Sequence, residues 1–239
     1  MRLIVVGTGT DVGKTHVSAC LLAHARALGL RGGAYKPIAT GVGDRCEDTD
    51  RLAEALGTPV EVPTFSYQEP VSPYWAARSE GRPIDLEVIG ECADRMHLGL
   101  DVFLVETAGG LFSPIAESEA LPERAEKGSG HWPGSRALSN VDLVKRLLPG
   151  VVLLVAPDRL GVLHDVSATL LAAAACELRI TAVVLSCPEA RDTSTGTNAE
   201  QIERIGFPAP LGVFPRAAFD ALESRDAAAA VFAKLALSH

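Results

Sequence analysis

The chain has no cysteine pair at C-x-x-C spacing, no apolar run long enough to span a bilayer and no excess of positive charge. Its five cysteines, Cys20, Cys46, Cys92, Cys176 and Cys187, are odd in number and widely spaced. That argues against a disulfide frame or a thiolate zinc site, and it fits a reducing cytoplasm with each thiol a small buried apolar group. The apolar run Val151–Ala156 falls far short of the ~20 residues of a membrane-spanning helix. The opening Met1-Arg2-Leu3-Ile4-Val5-Val6-Gly7 is too short for a signal-peptide core and runs straight into a glycine loop. A cytoplasmic location is therefore expected, with no membrane partner. Lys and Arg number 22 against 30 Asp and Glu, a formal charge of −8. An acidic chain repels phosphate backbones, and with no basic patch a nucleic-acid partner is excluded. Of 239 residues, 47% are hydrophobic, which excludes disorder.

What is present alternates. Leu3–Val6 is a continuous apolar run closed by Gly7, as a buried central strand of a parallel sheet reads. Thr15–Leu28 has helical spacing and stops at Gly29. Strands are expected at Gly32–Lys36, Asp101–Glu106, Val151–Ala156, Ile180–Leu185 and Leu211–Phe214. Helices are expected at Asp48–Leu56, Leu86–Leu98, Val141–Leu148, Leu163–Glu177, Asn198–Ile205 and 226–237. Residues 58–75 carry four prolines and read as a long excursion; residues 117–136 read as a mobile surface loop. Alternating strands and helices imply crossovers. The expected fold is a P-loop NTPase-type α/β domain over 1–239, three-layered and doubly wound, its mostly parallel sheet covered by helices on both faces. No internal repeat or boundary is visible.

Chemistry concentrates after the first strand, in Gly7-Thr8-Gly9-Thr10-Asp11-Val12-Gly13-Lys14-Thr15. A glycine loop between strand and helix aims backbone N–H groups and the helix dipole at phosphate oxygens. Lys14 is placed to reach the β- and γ-phosphates, and Thr15 to offer its hydroxyl to Mg²⁺. The loop is one residue longer than the usual G-x-x-x-x-G-K-[ST] spacing. Glu106 ends a buried strand, where carboxylates point into the ligand crevice of open α/β sheets; the bland alternative is a strand-end surface acid. Asp50 is the second expected metal ligand, with a first-turn helix acid as its alternative because Asp48 and Thr49 compete for the cap. Lys36, closing the second strand, would aim at the transferred phosphoryl group, although a lone lysine is more often solvated.

Taken in order, several segments resemble the dethiobiotin synthetase family over nearly the whole chain. They are Gly7–Thr15, Ala34-Tyr35-Lys36-Pro37 with Thr40-Gly41, Asp48-Thr49-Asp50, Ser72-Pro73, Glu80-Gly81-Arg82-Pro83-Ile84, Val105-Glu106 with Gly109-Gly110, and Leu160-Gly161. That family shares the longer phosphate loop. The resemblance implies a ligase that joins a 7,8-diaminononanoate, CO₂ and ATP with Mg²⁺ into dethiobiotin, ADP and phosphate through a carbamate. It implies catalytic Lys14 and Lys36, and Mg²⁺ held by Thr15, Asp50 and Glu106. The nucleotide would lie against Asp11, Val12, Gly13, Lys14, Thr15, His16, Asp50, Glu106, Thr107, Ala108 and Gly109. Its base would lie near Ser186, Cys187, Pro215, Arg216 and Ala217. The diamine would face Thr10, Asp11 and Thr40. In the family the enzyme is a homodimer whose partner subunit binds the substrate carboxylate, which brings in Val162, Leu163 and His164.

Three departures stand out. Thr107 replaces the family's glycine after the third strand's Glu, so a Cβ tightens that loop or demands another backbone angle. Ser186-Cys187-Pro188 stands where Asn-Asp commonly reads adenine, which loosens nucleotide choice. Gln201 replaces a tyrosine that contacts the substrate carboxylate. The remaining histidines, His24, His97, His131 and His239, form no ligand spacing. A dinucleotide-binding dehydrogenase fails because the third fingerprint glycine is missing and the loop ends in Gly-Lys-Thr. Two alternatives remain: another ATP-dependent ligase of the same fold, and a regulatory NTPase of the MinD/ParA type. The latter's loop carries an extra early lysine that Gly7-Thr8-Gly9 lacks.

Overall fold

A computed structural model of the chain describes residues 1–118 and 137–236. In chain order the elements are β1 (Arg2–Gly7), α1 (Lys14–Ala27), β2 (Gly32–Tyr35), β3 (Ile38–Ala39), α2 (Glu47–Leu56), β4 (Phe65–Ser66), α3 (Pro73–Ser79) and α4 (Leu86–His97). There follow β5 (Val102–Glu106), β6 (Pro114–Glu117), β7 (Ala137–Ser139), α5 (Asn140–Leu147), β8 (Val151–Pro157), α6 (Val162–Ala175), β9 (Ala182–Ser186), α7 (Asn198–Arg204), β10 (Val213–Phe214) and α8 (Leu222–Ala236).

The central sheet has the order β10-β9-β8-β1-β5-β2, and its pairings are all parallel. Buried strands with side chains on both faces feed two cores. Ile4, Val6, Phe103, Val105, Val152 and Leu154 face one core, with α4 to α7. Leu3, Val5, Val102, Leu104, Leu153 and Val155 face the other, with α1, α2 and α8. This period-two division is what doubly covered parallel strands require. Local signals agree with the helix ends. Asp85 accepts hydrogen bonds from the N–H groups of Glu87 and Val88 at the start of α4, and Ser139 with Asp142 forms a capping box on α5. Gly57, at φ 73°, ends α2 in the left-handed conformation that glycine adopts freely.

Three features depart from the sequence expectation. Two small satellite sheets pair β3 with β4 and β6 with β7, and both consist of strands too short for a hydrophobic period to register. The excursion over 58–75 runs through β4 and ends on the first turn of α3, where Ser72 accepts a hydrogen bond from the N–H of Trp75. The expected loop over 117–136 begins one residue too early, since Glu117 closes β6; residues 119–136 lie outside the described residues, as does His131. His239 also lies outside them. Among the described residues no helix is long and apolar enough to cross a membrane.

The order of the sheet positions the site. The chain leaves β1 toward β2 and β5 on one side and toward β8 on the other, so a crevice opens at the carboxyl ends of β1 and its neighbours. On the β8 side Asp158 is buried, accepting from Asn198 Nδ2 at 2.7 Å and from the N–H of Gly196 at 2.9 Å. Asp192 accepts from the N–H of Leu160 at 2.8 Å. These two carboxylates pin the 188–197 loop across the end of β8.

Candidate functional site

The loop after β1 wraps toward the first turn of α1. Asp11, at φ 56°, and Gly13, at φ 92°, take left-handed backbone conformations, the first of them rare for a residue with a Cβ. A Cβ at Gly13 would also collide with the Ser186 side chain, so the glycine is required twice over. Lys14 curls back so that Nζ donates to the carbonyl of Gly9 at 3.2 Å. The loop after β5 lies directly behind: a Cβ on Gly110 would meet the Cα of Gly9 at 3.1 Å. Asn140, wholly buried at the start of α5, donates through Nδ2 to the carbonyls of Ala108 and Gly110 at 2.7 and 2.8 Å. Nothing in the sequence pattern marks this residue, which holds the second loop against the first.

Four side chains from four segments meet at the mouth of this loop. Lys36 Nζ lies 2.6 Å from Glu106 Oε1 and 2.7 Å from Asp48 Oδ2. Thr15 Oγ1 lies 2.7 Å from Glu106 Oε1 and 2.9 Å from Asp48 Oδ1. Lys36 and Glu106 are buried, and the ammonium offsets the cost of burying the carboxylate beside it. Burial alone would lower the Lys36 ammonium, but the charges of Glu106 and Asp48 raise it well above the ordinary range. Burial opposes ionisation of Asp48, yet the charge and hydrogen bond of Lys36, with the bond from Thr15, hold its carboxyl below the usual range. Burial, reinforced by the neighbouring Lys36 charge, lowers Lys14 to about 8.

The expected acid on α2 requires correction. Asp50 reaches neither Thr15 nor Lys36; it is exposed and pairs with Arg45 at 3.0 Å. Asp48 lies against Thr15 and Lys36 instead. The helix begins at Glu47, and its first-turn residues point in different directions, 100° apart. With the helix starting there, the Asp48 side of α2 faces α1, and Asp50 turns to solvent. Thr15 has one hydroxyl proton and two carboxylates in reach, so at most one can receive it. Glu106 Oε2 is buried with no partner. Two carboxylate oxygens, each within 3 Å of one hydroxyl oxygen, with a spare buried lone pair, form a hard-oxygen set that suits a divalent cation held also by phosphates. The residues present therefore fit Mg²⁺ through Thr15, Asp48 and Glu106.

A cleft of about 680 Å³ runs over this cluster, and Thr10, Asp11, Lys14, Lys36 and Thr40 line it together with Ala108 and Gly109. A second cavity, of about 540 Å³, continues toward β9 and is lined by Val12, Ser186, Cys187 and Ala217. Asp11, Gly13, His16, Arg51 and Arg216 border both. The carbonyl of Pro215 lies 2.7 Å from His16 Nε2, and Arg51 Nη2 lies 3.2 Å from His16 Nδ1. A carbonyl only accepts and a guanidinium only donates, so His16 carries its proton on Nε2 and is neutral. Burial lowers its pKa in the same direction. Thr107 is accommodated without distortion: its φ is not left-handed, and its hydroxyl donates back to the carbonyl of Val5 at 3.2 Å. Val162, Leu163 and His164 open α6 and line neither cavity; Val162 is buried and His164 exposed.

The family model described as an AAA domain matches residues 1–126. Among similar proteins, the ATP-dependent dethiobiotin synthetase BioD of Caulobacter sp. strain K31 is 37% identical over 195 residues, 77% of this chain and 75% of that one. The ATP-dependent dethiobiotin synthetase BioD of Rhodopirellula baltica is 34% identical over 85% of this chain and 80% of its own. Among solved structures, the MinC:MinD cell division complex of Aquifex aeolicus aligns with a TM-score of 0.54 at 13% identity, over 98% of this chain and 95% of that one. The signal recognition particle receptor FtsY of Elizabethkingia anophelis aligns at 0.52 with 15% identity, over 97% of this chain and 65% of that one. At such identities the structural likeness speaks for the fold, a three-layer P-loop α/β architecture.

Proposed function

Since this chain belongs to the dethiobiotin synthetase family, ATP-dependent ligases that form dethiobiotin, we propose how its own residues carry that reaction. One amine of 7,8-diaminononanoate takes up CO₂ as a carbamate and sheds a proton. A carbamate oxygen attacks the γ-phosphorus, and ADP leaves. The second amine attacks the carbonyl carbon of the mixed anhydride, the C–O bond to phosphate breaks, and the cyclic urea closes with release of phosphate.

The observation that carries this reading is the buried Lys36 between Asp48 and Glu106, set against Thr15 and Lys14. Lys14 neutralises charge on the β- and γ-phosphates. Lys36 offsets the charge that gathers where carbamate oxygen and phosphorus meet, the kind of preorganised stabilisation that lowers a barrier most. Thr15, Asp48 and Glu106 hold Mg²⁺, which supplies charge neutralisation on the phosphates when bound. Thr10, Asp11 and Thr40 face the diamine. The base rests near Ser186, Cys187 and the 215–217 segment, with no Asn-Asp pair to enforce adenine. No histidine need carry a proton, because phosphoryl transfer draws mainly on positioning and electrostatics.

The same reading takes residues 1–239 as one P-loop α/β domain that works in the cytoplasm as a homodimer. The partner's Val162, Leu163 and His164 would then bind the substrate carboxylate at the subunit interface.

The test is phosphate release from the protein with diamine, bicarbonate and Mg·ATP. Release that depends on both diamine and bicarbonate is expected; release that needs neither points to a regulatory NTPase. Lys36→Ala is expected to lower turnover at least a hundredfold, about the loss seen when one charge-stabilising donor is removed. Unchanged turnover would remove Lys36 from the mechanism.

A further inference from the structure

Helix α2 meets the first turn of α1 at two successive points. Asp48 reaches Thr15, and Arg51, one turn further along α2, reaches His16. The spacing of three places both α2 side chains on one face. The first contact belongs to the metal cluster. The second has no such assignment, and Arg51 is exposed. Among the ion pairs of the described residues none includes Arg51. Its guanidinium meets a neutral imidazole nitrogen instead, which orients the cation without quenching its charge.

The location gives that charge a use. Arg51 borders both the cleft that holds Lys14 and Lys36 and the cavity that ends at Ser186 and Cys187. A nucleotide laid from one to the other has its phosphoryl tail at the lysine end and its base at the serine end. The junction then falls at the phosphate next to the ribose. His16 is the loop-helix residue at that junction, and its ring is fixed from the far side by the carbonyl of Pro215. Resting on the nucleotide reading above, we propose that Arg51 binds the α-phosphate of the nucleotide, with neutral His16 as the residue that positions it. A guanidinium supplies planar, charge-assisted donors that suit a phosphate.

The test measures ADP and AMP binding to the full chain by titration calorimetry in EDTA, so that turnover and metal play no part. Arg51→Gln should weaken ADP at least tenfold and AMP by the same factor, because both keep the phosphate beside the ribose. Arg51→Lys should recover part of the loss. Arg204→Gln, which removes another exposed charge, one held by Glu200 on α7, should bind like the parent protein. In the full assay KM for ATP rises for Arg51→Gln while kcat stays within about twofold, since the contact is the same before and during transfer. Equal ADP affinity in Arg51→Gln and parent overturns the proposal, as does a loss for ADP with none for AMP. Parent protein that binds ADP but releases no diamine-dependent phosphate would sink the synthetase reading alone and leave the Arg51 contact standing.

Discussion

Glu106 and Asp158 are two buried carboxylates on either side of the same strand. Glu106 ends β5 and Asp158 follows β8, and both strands pair with β1. Asp158 has a neutral donor on each oxygen, Asn198 on one and the Gly196 N–H on the other. Glu106 crowds a lysine and a threonine onto one oxygen and leaves Oε2 without a partner. A satisfied carboxylate fastens a loop; one left open inside the protein costs stability and makes sense only if something else completes it. Burial alone would have ranked these two residues as equals, and the accounting of their lone pairs separates them.

Three measurements can break or sharpen that contrast. The largest effect is expected at Glu106→Gln, which keeps the shape and removes the charge. Turnover should fall by about 10² to 10³ with only a modest loss of Tm, since Asp48 still pairs with the buried Lys36, and turnover near that of the parent would erase the distinction. Asp158→Asn should do the reverse. Its new amide must point at one of two existing donors, which costs about 1–3 kcal/mol. In a chain of this size that lowers Tm by roughly 2–4 °C for each kcal/mol, with kcat of the folded fraction kept within about threefold. A large loss of kcat without a loss of Tm would place Asp158 in the chemistry.

The smallest effect concerns pH. Lys14 is lowered to about 8 by burial and by Lys36, so in the free protein it gives up its proton as pH rises through 8. A neutral amine holds phosphate poorly, and binding must then take up a proton. ADP affinity should accordingly fall by about tenfold between pH 7 and 9. The falling limb should be absent in Lys14→Met, whose affinity is low throughout.

Much of the site could be read from the residues. A strand, glycine loop and helix in that order define where phosphates sit, and Lys36 and Glu106 each close a short apolar run whose end must face the crevice. Asp48 was hidden for a specific reason. Both Asp48 and Asp50 fall in the first turn of α2, and which one faces α1 depends on how the chain from Gly41 to Cys46 delivers the helix. The family spacing favoured Asp50; the helix phase favours Asp48. Asn140 and the partners of Asp158 were out of reach as well, because their bonds span 30 to 40 positions and a polar residue in a helix start usually faces water. The satellite strands were too brief to carry a period.

The near-touching backbones of Gly9 and Gly110 carry a consequence for how this chain can change. A single methyl at Gly110 would press on the backbone of the opposite loop, which would have to give by a few tenths of an ångström, so a change in one loop is felt by the other. The two are joined like mortise and tenon, and inheritance must treat them as one piece. Variation between relatives should therefore gather on the outer walls of the crevice, where a new side chain finds open space.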